Sequence, residues 1–560
     1  MHEGNMISLA PLTARIAAVV FLLSCIAVTS GCNKEQQQEA GVVTIRVVHP
    51  PEVGDYLKRV EGAFEQSEHR LAGGIKVAVD LVEAESLYAA KKIASGELKT
   101  EAWVPSSTTL VNYTNQNLKN LGPKQVDCRQ LFGTPLVIAT TEKNVEAFQG
   151  QERSFSWKSF VEGGNRRKNR SDNAVSMSIA RSGLAVSGTS ALLQLAFFAL
   201  ESYEGTLSLK NLESDHFKSA FSNNFDLVYF LEPSDSALLE RIAGAKSERV
   251  LFGLTTEQQL AQYNFGAPPD APKLVALYPR EGSLWQDYNL CLSNADWVTP
   301  PQRAGVSLFA SFLSTRAAQS AAMQAGFRPA SLKGEGDKEV QALSDPLTKK
   351  YGITPQAATA PVLPFPSQVV EHVLATWQEY RRPAINVVVL DVSGTTTSGA
   401  FYSAIRLSGT LLDSLSPKDQ AAVLTFADKV SVVAPAGTQK ELIKAELAKI
   451  SAGGGSAMYQ GIYEAFKQAS DDRHAGYRRN IIVLTDGKDN KSTISLPDLL
   501  DFISDSRKHT DINLQIIGLK SEKVDLGDLE KIARTAGGKF WSTSLGEVDK
   551  IVQSIITEYL

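Results

Sequence analysis

Ile385-Asn386-Val387-Val388-Val389-Leu390-Asp391-Val392-Ser393-Gly394-Thr395 opens the last third of the chain, and the fold is read outward from it. Apart from Asn386, its first six residues are apolar and mostly β-branched. That is the composition of a strand covered on both faces, because one wet face would impose alternation with polar residues. The run then stops on oxygen-bearing side chains. Asp391, Ser393 and Thr395 alternate along the turn leaving the strand, so three oxygens would converge just beyond its carboxyl end, where open α/β sheets bind ligands.

Two later stretches extend this point. Ser451-Ala452-Gly453-Gly454-Gly455-Ser456 precedes a helical pattern from Ala457 to Ala469, and Ile481-Ile482-Val483-Leu484-Thr485-Asp486-Gly487 is a second buried strand ending in a carboxylate. Asp391 and Asp486 with the hydroxyls of Ser393, Thr395 and Ser456 make a hard-oxygen set. Such a set suits Mg²⁺, or Mn²⁺ or Ca²⁺, and leaves a position for water or a ligand carboxylate. On these residues the stretch from about 384 to 560 resembles a von Willebrand factor A domain with its metal-ion-dependent adhesion site. Asp391, Ser393 and Asp486 match the family pattern; Thr395 stands for its second Ser and Ser456 for its Thr, both keeping the hydroxyl. The resemblance implies a doubly wound, Rossmann-like domain whose cation accepts an Asp or Glu carboxylate from a protein partner.

The 560 residues, 43% hydrophobic and 21% charged, allow two or three globular domains. The net charge of −4, with dispersed basic residues, argues against a nucleic-acid footprint. At the N-terminus, Arg15 precedes the apolar run Ile16 to Val28, too short for a comfortable membrane span, and Thr29-Ser30-Gly31-Cys32 follows. This resembles a bacterial lipoprotein signal over residues 1–32, with Thr29 where the family prefers an aliphatic residue. The resemblance implies lipidation of Cys32, a polar tether over 33–42 and a place in the cell envelope, facing the periplasm or the exterior. Cys128 and Cys291 would then be free to pair in an oxidising compartment or to stay as buried thiols; the sequence leaves both open.

From Val43 the pattern strand, helix, strand argues for a parallel α/β sheet. Trp103-Val104-Pro105-Ser106-Ser107, Glu257 with Tyr263-Asn264, Leu277-Tyr278-Pro279-Arg280-Glu281-Gly282, Ala295-Asp296-Trp297 and Gly326-Phe327-Arg328-Pro329 follow in order. On these landmarks residues 43–345 resemble extracellular solute-binding proteins of the type 2 periplasmic class. That implies two α/β lobes, one of about 43–140 with 255–345 and one of about 141–254, crossing near Thr140 and Thr255 and closing on a small solute. Helix starts facing the cleft suit an anion or a carboxylate. The candidate contacts are Ser106, Ser107, Ser187, Thr189 and Ser190, with Glu257 as a polar partner, although Thr255-x-x-Gln258 also fits a capping box. Residues 346–383 read as a Pro-rich strut and a helix, Gln368 to Tyr380, packing beneath the last domain.

No His-Glu-x-x-His helix, Walker loop or Gly-x-Ser-x-Gly elbow occurs. A cation held by carboxylates and hydroxyls without a general base reads as a docking site, so binding rather than turnover is expected. The alternatives are the binding component of an ABC-type importer with an accessory A domain, or an adhesion scaffold whose clamshell is vestigial.

Overall fold

The computed structural model describes residues 41–67, 69–118, 122–149, 155–167, 175–180, 186–200, 207–232, 234–244, 250–269, 271–329, 351–354, 361–362, 365–394, 398–474, 476–485, 488–510, 512–519, 526–544, 548, 551–552 and 555. The N-terminal stretch read from sequence as a lipoprotein signal, with Cys32, lies outside the described residues. Among the described residues, no helix is long and apolar enough to cross a membrane.

The N-terminal unit contains β1 (Val42–His49), β2 (Lys76–Glu83), β3 (Ala102–Trp103), β4 (Lys124–Thr141), β5 (Val175–Ala180), β6 (Val228–Glu232), β7 (Val250–Thr256), β8 (Leu274–Leu277), β9 (Ser283–Asn294), β10 (Arg328–Pro329) and β11 (Pro361–Val362). Their order, β2-β1-β3-β9-β4-β7-β5-β6, conceals a change of partner inside β4. As far as Pro135 that strand pairs antiparallel with β9; from Leu136 it pairs with β7 and β8. Two lobes therefore share one long strand, and the crossing expected near Thr140 falls at Pro135–Leu136. Nor does the chain leave the second lobe near Thr255. The helix Glu257–Gly266 and β8 stay there because Leu260, Ala261 and Leu274 pack with Val137, Ala139 and Leu238; the return runs along β9. Thr256, not Thr255, caps that helix, accepting from the Gln259 N–H at 3.2 Å.

The pairing of β4 with β9 skips from Val126↔Leu292 to Arg129↔Leu290, which leaves Asp127 and Cys128 as a bulge beside Cys291. Cys128 and Cys291 are joined by a disulfide. Asp127 has φ 49°, and no other non-glycine residue among those described has a positive φ.

The C-terminal unit has one sheet, built of β12 (Ala384–Asp391), β13 (Gln420–Phe426), β14 (Val430–Ala434), β15 (Arg478–Thr485), β16 (Ile512–Leu519) and β17 (Lys539–Thr543). The order is β14-β13-β12-β15-β16-β17, parallel throughout except for the antiparallel edge strand β14. Every residue of β12 is buried. Ile385, Val387 and Val389 pack with Ile462 and Phe466 of the helix Met458–Ala469, whereas Val388 and Leu390 pack with Leu407 and Leu411 of the helix Ser398–Ser414. Successive side chains point to opposite faces, and a helix covers each face. Asn386, the polar interruption of the run, starts a row of amides: Asn480 Nδ2 donates to Asn386 Oδ1 at 2.8 Å, Asn513 Nδ2 to Asn480 Oδ1 at 3.3 Å, and Gln515 Nε2 to Asn513 Oδ1 at 3.0 Å. Trp541 Nε1 ends the row on Gln515 Oε1 at 2.9 Å. Each buried amide thus keeps a partner.

The helix Ser367–Tyr380, expected beneath the C-terminal unit, lies instead on the N-terminal one. Its apolar stripe Val369, Val370, Val373 and Trp377 meets apolar side chains of both lobes, including Leu110, Tyr113, Leu212 and Phe225. The strut before it is not free either, since β11 pairs with the start of β9.

Candidate functional site

Asp391 ends β12 with its side chain buried. Its Oδ2 accepts from Thr485 Oγ1 at 2.6 Å and its Oδ1 from the Ser393 N–H at 3.0 Å, which aims the carboxylate into the turn. The glycine-rich loop is stitched to this turn: Gly453 N–H donates to Val392 O at 2.8 Å and Gly394 N–H to Gly454 O at 2.9 Å. A side chain at 394 would place Cβ 3.1 Å from Gly454 O, tighter than an ordinary contact, and Gly454 itself sits at φ +84°, a conformation that favours glycine. Gly455 N–H donates to Asp428 Oδ1 at 2.8 Å, which ties the loop to the end of β13.

Ser456 follows, and both of its backbone groups are bound by the loop after β15. Its N–H donates to Asn490 Oδ1 at 2.8 Å, and its carbonyl accepts from the Asn490 and Lys491 N–H groups at 2.9 and 3.0 Å. Its hydroxyl is different. Among the described residues Ser456 Oγ is buried with no hydrogen-bond partner, a state that costs on the order of 1–3 kcal/mol unless something else satisfies it. Three loops thus meet where Asp391, Ser393 and Ser456 supply a carboxylate and two hydroxyls. Thr395 and Asp486 lie outside the described residues. Among those described, no group of three or more His, Cys, Asp or Glu side chains gathers. A buried hydroxyl without a partner among the described residues, on a loop tied by backbone bonds to the turn that carries the Asp391 carboxylate, fits the donor chemistry of a hard divalent cation.

In the N-terminal unit, three of the hydroxyls singled out from sequence, those of Ser107, Ser187 and Ser190, have partners within the chain itself. Ser106 is buried and its N–H donates to Ser86 Oγ at 3.2 Å; Ser107 Oγ caps the helix Thr108–Gln116 by accepting from Leu110 N–H at 3.3 Å. Ser187 Oγ donates to Asp235 Oδ1 at 2.5 Å, joined by Thr255 Oγ1 at 2.6 Å, and Ser190 Oγ accepts from Gln286 Nε2 at 3.3 Å. Thr189 is buried. Glu257, expected as a polar partner for solute, is wholly buried and accepts from Arg328 Nε at 2.7 Å and Nη2 at 2.6 Å, and from the Tyr278 hydroxyl. Of the helix starts offered to an anion, that of Thr108–Gln116 carries an internal carboxylate: Asp287 accepts from Thr108 N–H at 2.9 Å, so negative charge already answers that dipole.

Residues 387–553 match the model of the von Willebrand factor type A domain. Residues 45–328, just over half of the chain, match that of the bacterial extracellular solute-binding protein. The chain belongs to this solute-binding family. Solved structures similar to parts of the chain include maltose-bound MalE3 of T. maritima, 13% identical over 61% of this chain and 94% of that one, with TM-score 0.41. The sulfate-binding protein SubI from Mycobacterium tuberculosis H37Rv is 15% identical over 54% and 92%, with TM-score 0.37. The conserved hypothetical protein BatB from Bacteroides thetaiotaomicron is 19% identical over 31% and 97%, with TM-score 0.26. No curated protein matches the chain.

Between the lobes of the solute-binding domain runs a chain of polar groups that sequence inspection missed. Tyr288 OH lies 2.8 Å from Glu52 Oε1 and 2.7 Å from Gln286 Oε1, and Gln286 reaches Ser190 of the second lobe. Burial pushes the Glu52 carboxyl up to about 8, Asp235 and Glu85 adding to the rise against the lowering by the Tyr288 bond. Protonated Glu52 can donate to Tyr288 while Tyr288 donates to Gln286, so the whole chain is satisfied only with the proton in place. Because the folded pKa is raised, the stability it contributes is full below about pH 4.3 and is lost as pH rises toward 8. Wild-type unfolding free energy should therefore fall between pH 5 and 8 relative to Glu52→Gln, by on the order of 2 kcal/mol after allowing for the water contact Glu52 keeps, as denaturant titrations across that range would read. Parallel pH profiles for the two proteins would refute this.

In the A domain, Thr485, Asp489 and Asn490 were also missed. The helix Met458–Ala469 has no side-chain cap of its own, and Asp489 Oδ2 takes the Tyr459 N–H at 2.8 Å. The only sequence signal was the density of Asp and Asn after β15.

Proposed function

We propose that this chain is an exported binding protein, held at a membrane by lipid on Cys32, whose A domain captures an acidic side chain of a protein partner through a divalent cation. Asp391, Ser393 and Ser456, with Thr395 and Asp486, would hold Mg²⁺, or Mn²⁺ or Ca²⁺. When bound, the cation supplies an open coordination position for a partner's Asp or Glu. The observation that carries the reading is the buried hydroxyl of Ser456, without a partner among the described residues, on a loop stitched to the Asp391 turn. Binding, not turnover, is the activity. The match to an extracellular family and the Cys128–Cys291 disulfide support export.

Melting in Mg²⁺ or Mn²⁺ against EDTA tests it. A cation that binds only the folded state should raise the melting temperature by mass action, with Asp391→Ala and Ser456→Ala losing the whole increment. Equal melting with and without cation would end the proposal. The match over residues 45–328 favours a second reading, the binding component of an ABC-type importer. That reading requires stabilisation by a small solute in the absence of cation.

A further inference from the structure

The segment joining the two domains touches the solute-binding domain at successive points on both lobes. Tyr351 and Ile353 are buried, Ala276 N–H donates to Gly352 O at 2.8 Å, and Asn264 Nδ2 donates to Tyr351 O at 2.7 Å, all on the second lobe. Pro361–Val362 then pairs with Ser283–Leu284, where β9 sets off toward the first lobe. Phe365 is buried and its N–H donates to Thr109 Oγ1 at 3.2 Å, while Ser367 Oγ bonds Gln116 Oε1; both partners belong to the first-lobe helix Thr108–Gln116.

The helix Ser367–Tyr380 runs on between the lobes. One side lies on Thr108–Gln116; the other lies on the second-lobe helices Val186–Phe198 and Leu209–Leu212. Trp377 meets Phe225 edge-on at 4.7 Å, and Arg382 Nη2 reaches Asp226 O at 3.4 Å. The far end is bolted to the A domain. Arg381 forms a buried pair with Asp419 at 2.6 Å, and Lys418 Nζ donates to the carbonyls of Glu379 and Arg381, both at 2.6 Å.

We infer that Phe365–Tyr380 is a built-in strap that fixes the angle between the lobes and makes them one mechanical body with the A domain. For the lobes to part, Phe365, Val369, Val370, Val373 and Trp377 must leave one lobe and return to water. A solute can move an equilibrium only by its difference in affinity for the two states, so an ordinary ligand leaves the lobes at the angle the strap sets. Any peeling that does occur pulls on Arg381 and therefore on β12 and β13, whose far ends carry the Asp391 turn. The two domains then report on each other through the strap, not through a shared ligand.

Distances between labels on ketone-bearing residues placed at exposed Lys58 of the first lobe and Glu240 of the second, in the full chain, test this. Wild type should give a single narrow interlobe distance, unmoved by amino acids, sugars or inorganic anions, and Trp377→Ala should broaden it. A broad wild-type distribution, or a solute-driven shift as large as that of Trp377→Ala, overturns the inference. Hydrogen exchange on the wild type decides independently should that variant not fold. Amides of residues 369–380 should be protected like those of β4 and β9, and exchange at the rate of a loosely docked surface helix counts against the strap.

Discussion

Asp419→Ala should lower the unfolding free energy of the A domain by about 3–5 kcal/mol, the usual result of stranding one buried charge. Arg381 and Asp419 are 1% and 0% exposed in their side chains. The carboxylate accepts from Arg381 Nη1 at 2.9 Å and Nη2 at 2.6 Å, and also from Ala384 N–H at 2.9 Å and Ser416 N–H at 3.1 Å. Removing it leaves a buried guanidinium and two backbone donors without their acceptor. The double variant Arg381→Met/Asp419→Leu should recover most of the loss, because it also removes the stranded charge. Acid adds a second readout. Burial alone would raise the Asp419 carboxyl, but the bonds and charge of Arg381 outweigh it and hold the group below its usual value. Its contribution is therefore present above the unfolded carboxyl value near ~3.9 and is lost as pH falls through the lower folded one. Denaturant titrations from pH 2 to 7 should show a wild-type loss at the acid end that Asp419→Ala lacks.

Gly352→Ala is the second large effect expected. Gly352 has φ +78°, and a Cβ there would stand 1.9 Å from Leu274 O and 2.8 Å from Asn264 Nδ2. Backbone, not a flexible side-chain tip, must move, so a loss of about 3 kcal/mol or more is expected for the solute-binding domain. Gly437→Ala is the control. Its φ of +89° carries the same conformational strain, yet nothing lies within 4 Å of the added atom, so it should cost only about 1 kcal/mol. Urea midpoints of the two variants separate clash from strain, and equal losses would contradict the close packing at 352.

What sequence could show was local. Asp391 was legible because a two-sided buried strand announces itself by composition and the residues after it carry oxygen. The pairing of Glu257 with Arg328 was not, since nothing in either neighbourhood specifies a partner 71 positions away. The stripe of Val369, Val373 and Trp377 predicted a covered face but could not say which domain covers it, because amphipathicity gives a direction and no address. The change of lobe inside β4 was hidden for a related reason: Leu131 to Thr140 is buried without interruption, so no polar break marks where one neighbour gives way to the next. Thr485 was read as strand rather than site because its contact with Asp391 depends on how two strands align.

That alignment has its own safeguard. Parallel strands of valine and isoleucine are nearly interchangeable under a slide of two positions, which preserves every inward and outward side chain. Asn386 and Asn480 are cross-strand partners, and Asp391 and Thr485 each stand five residues further along the same strands. Sliding β15 by two would break the amide bridge at one end and draw Thr485 about 7 Å from Asp391 at the other. The buried amides thus act as a vernier mark: set deep beneath the sheet's upper rim, they bring separate loops to one common height.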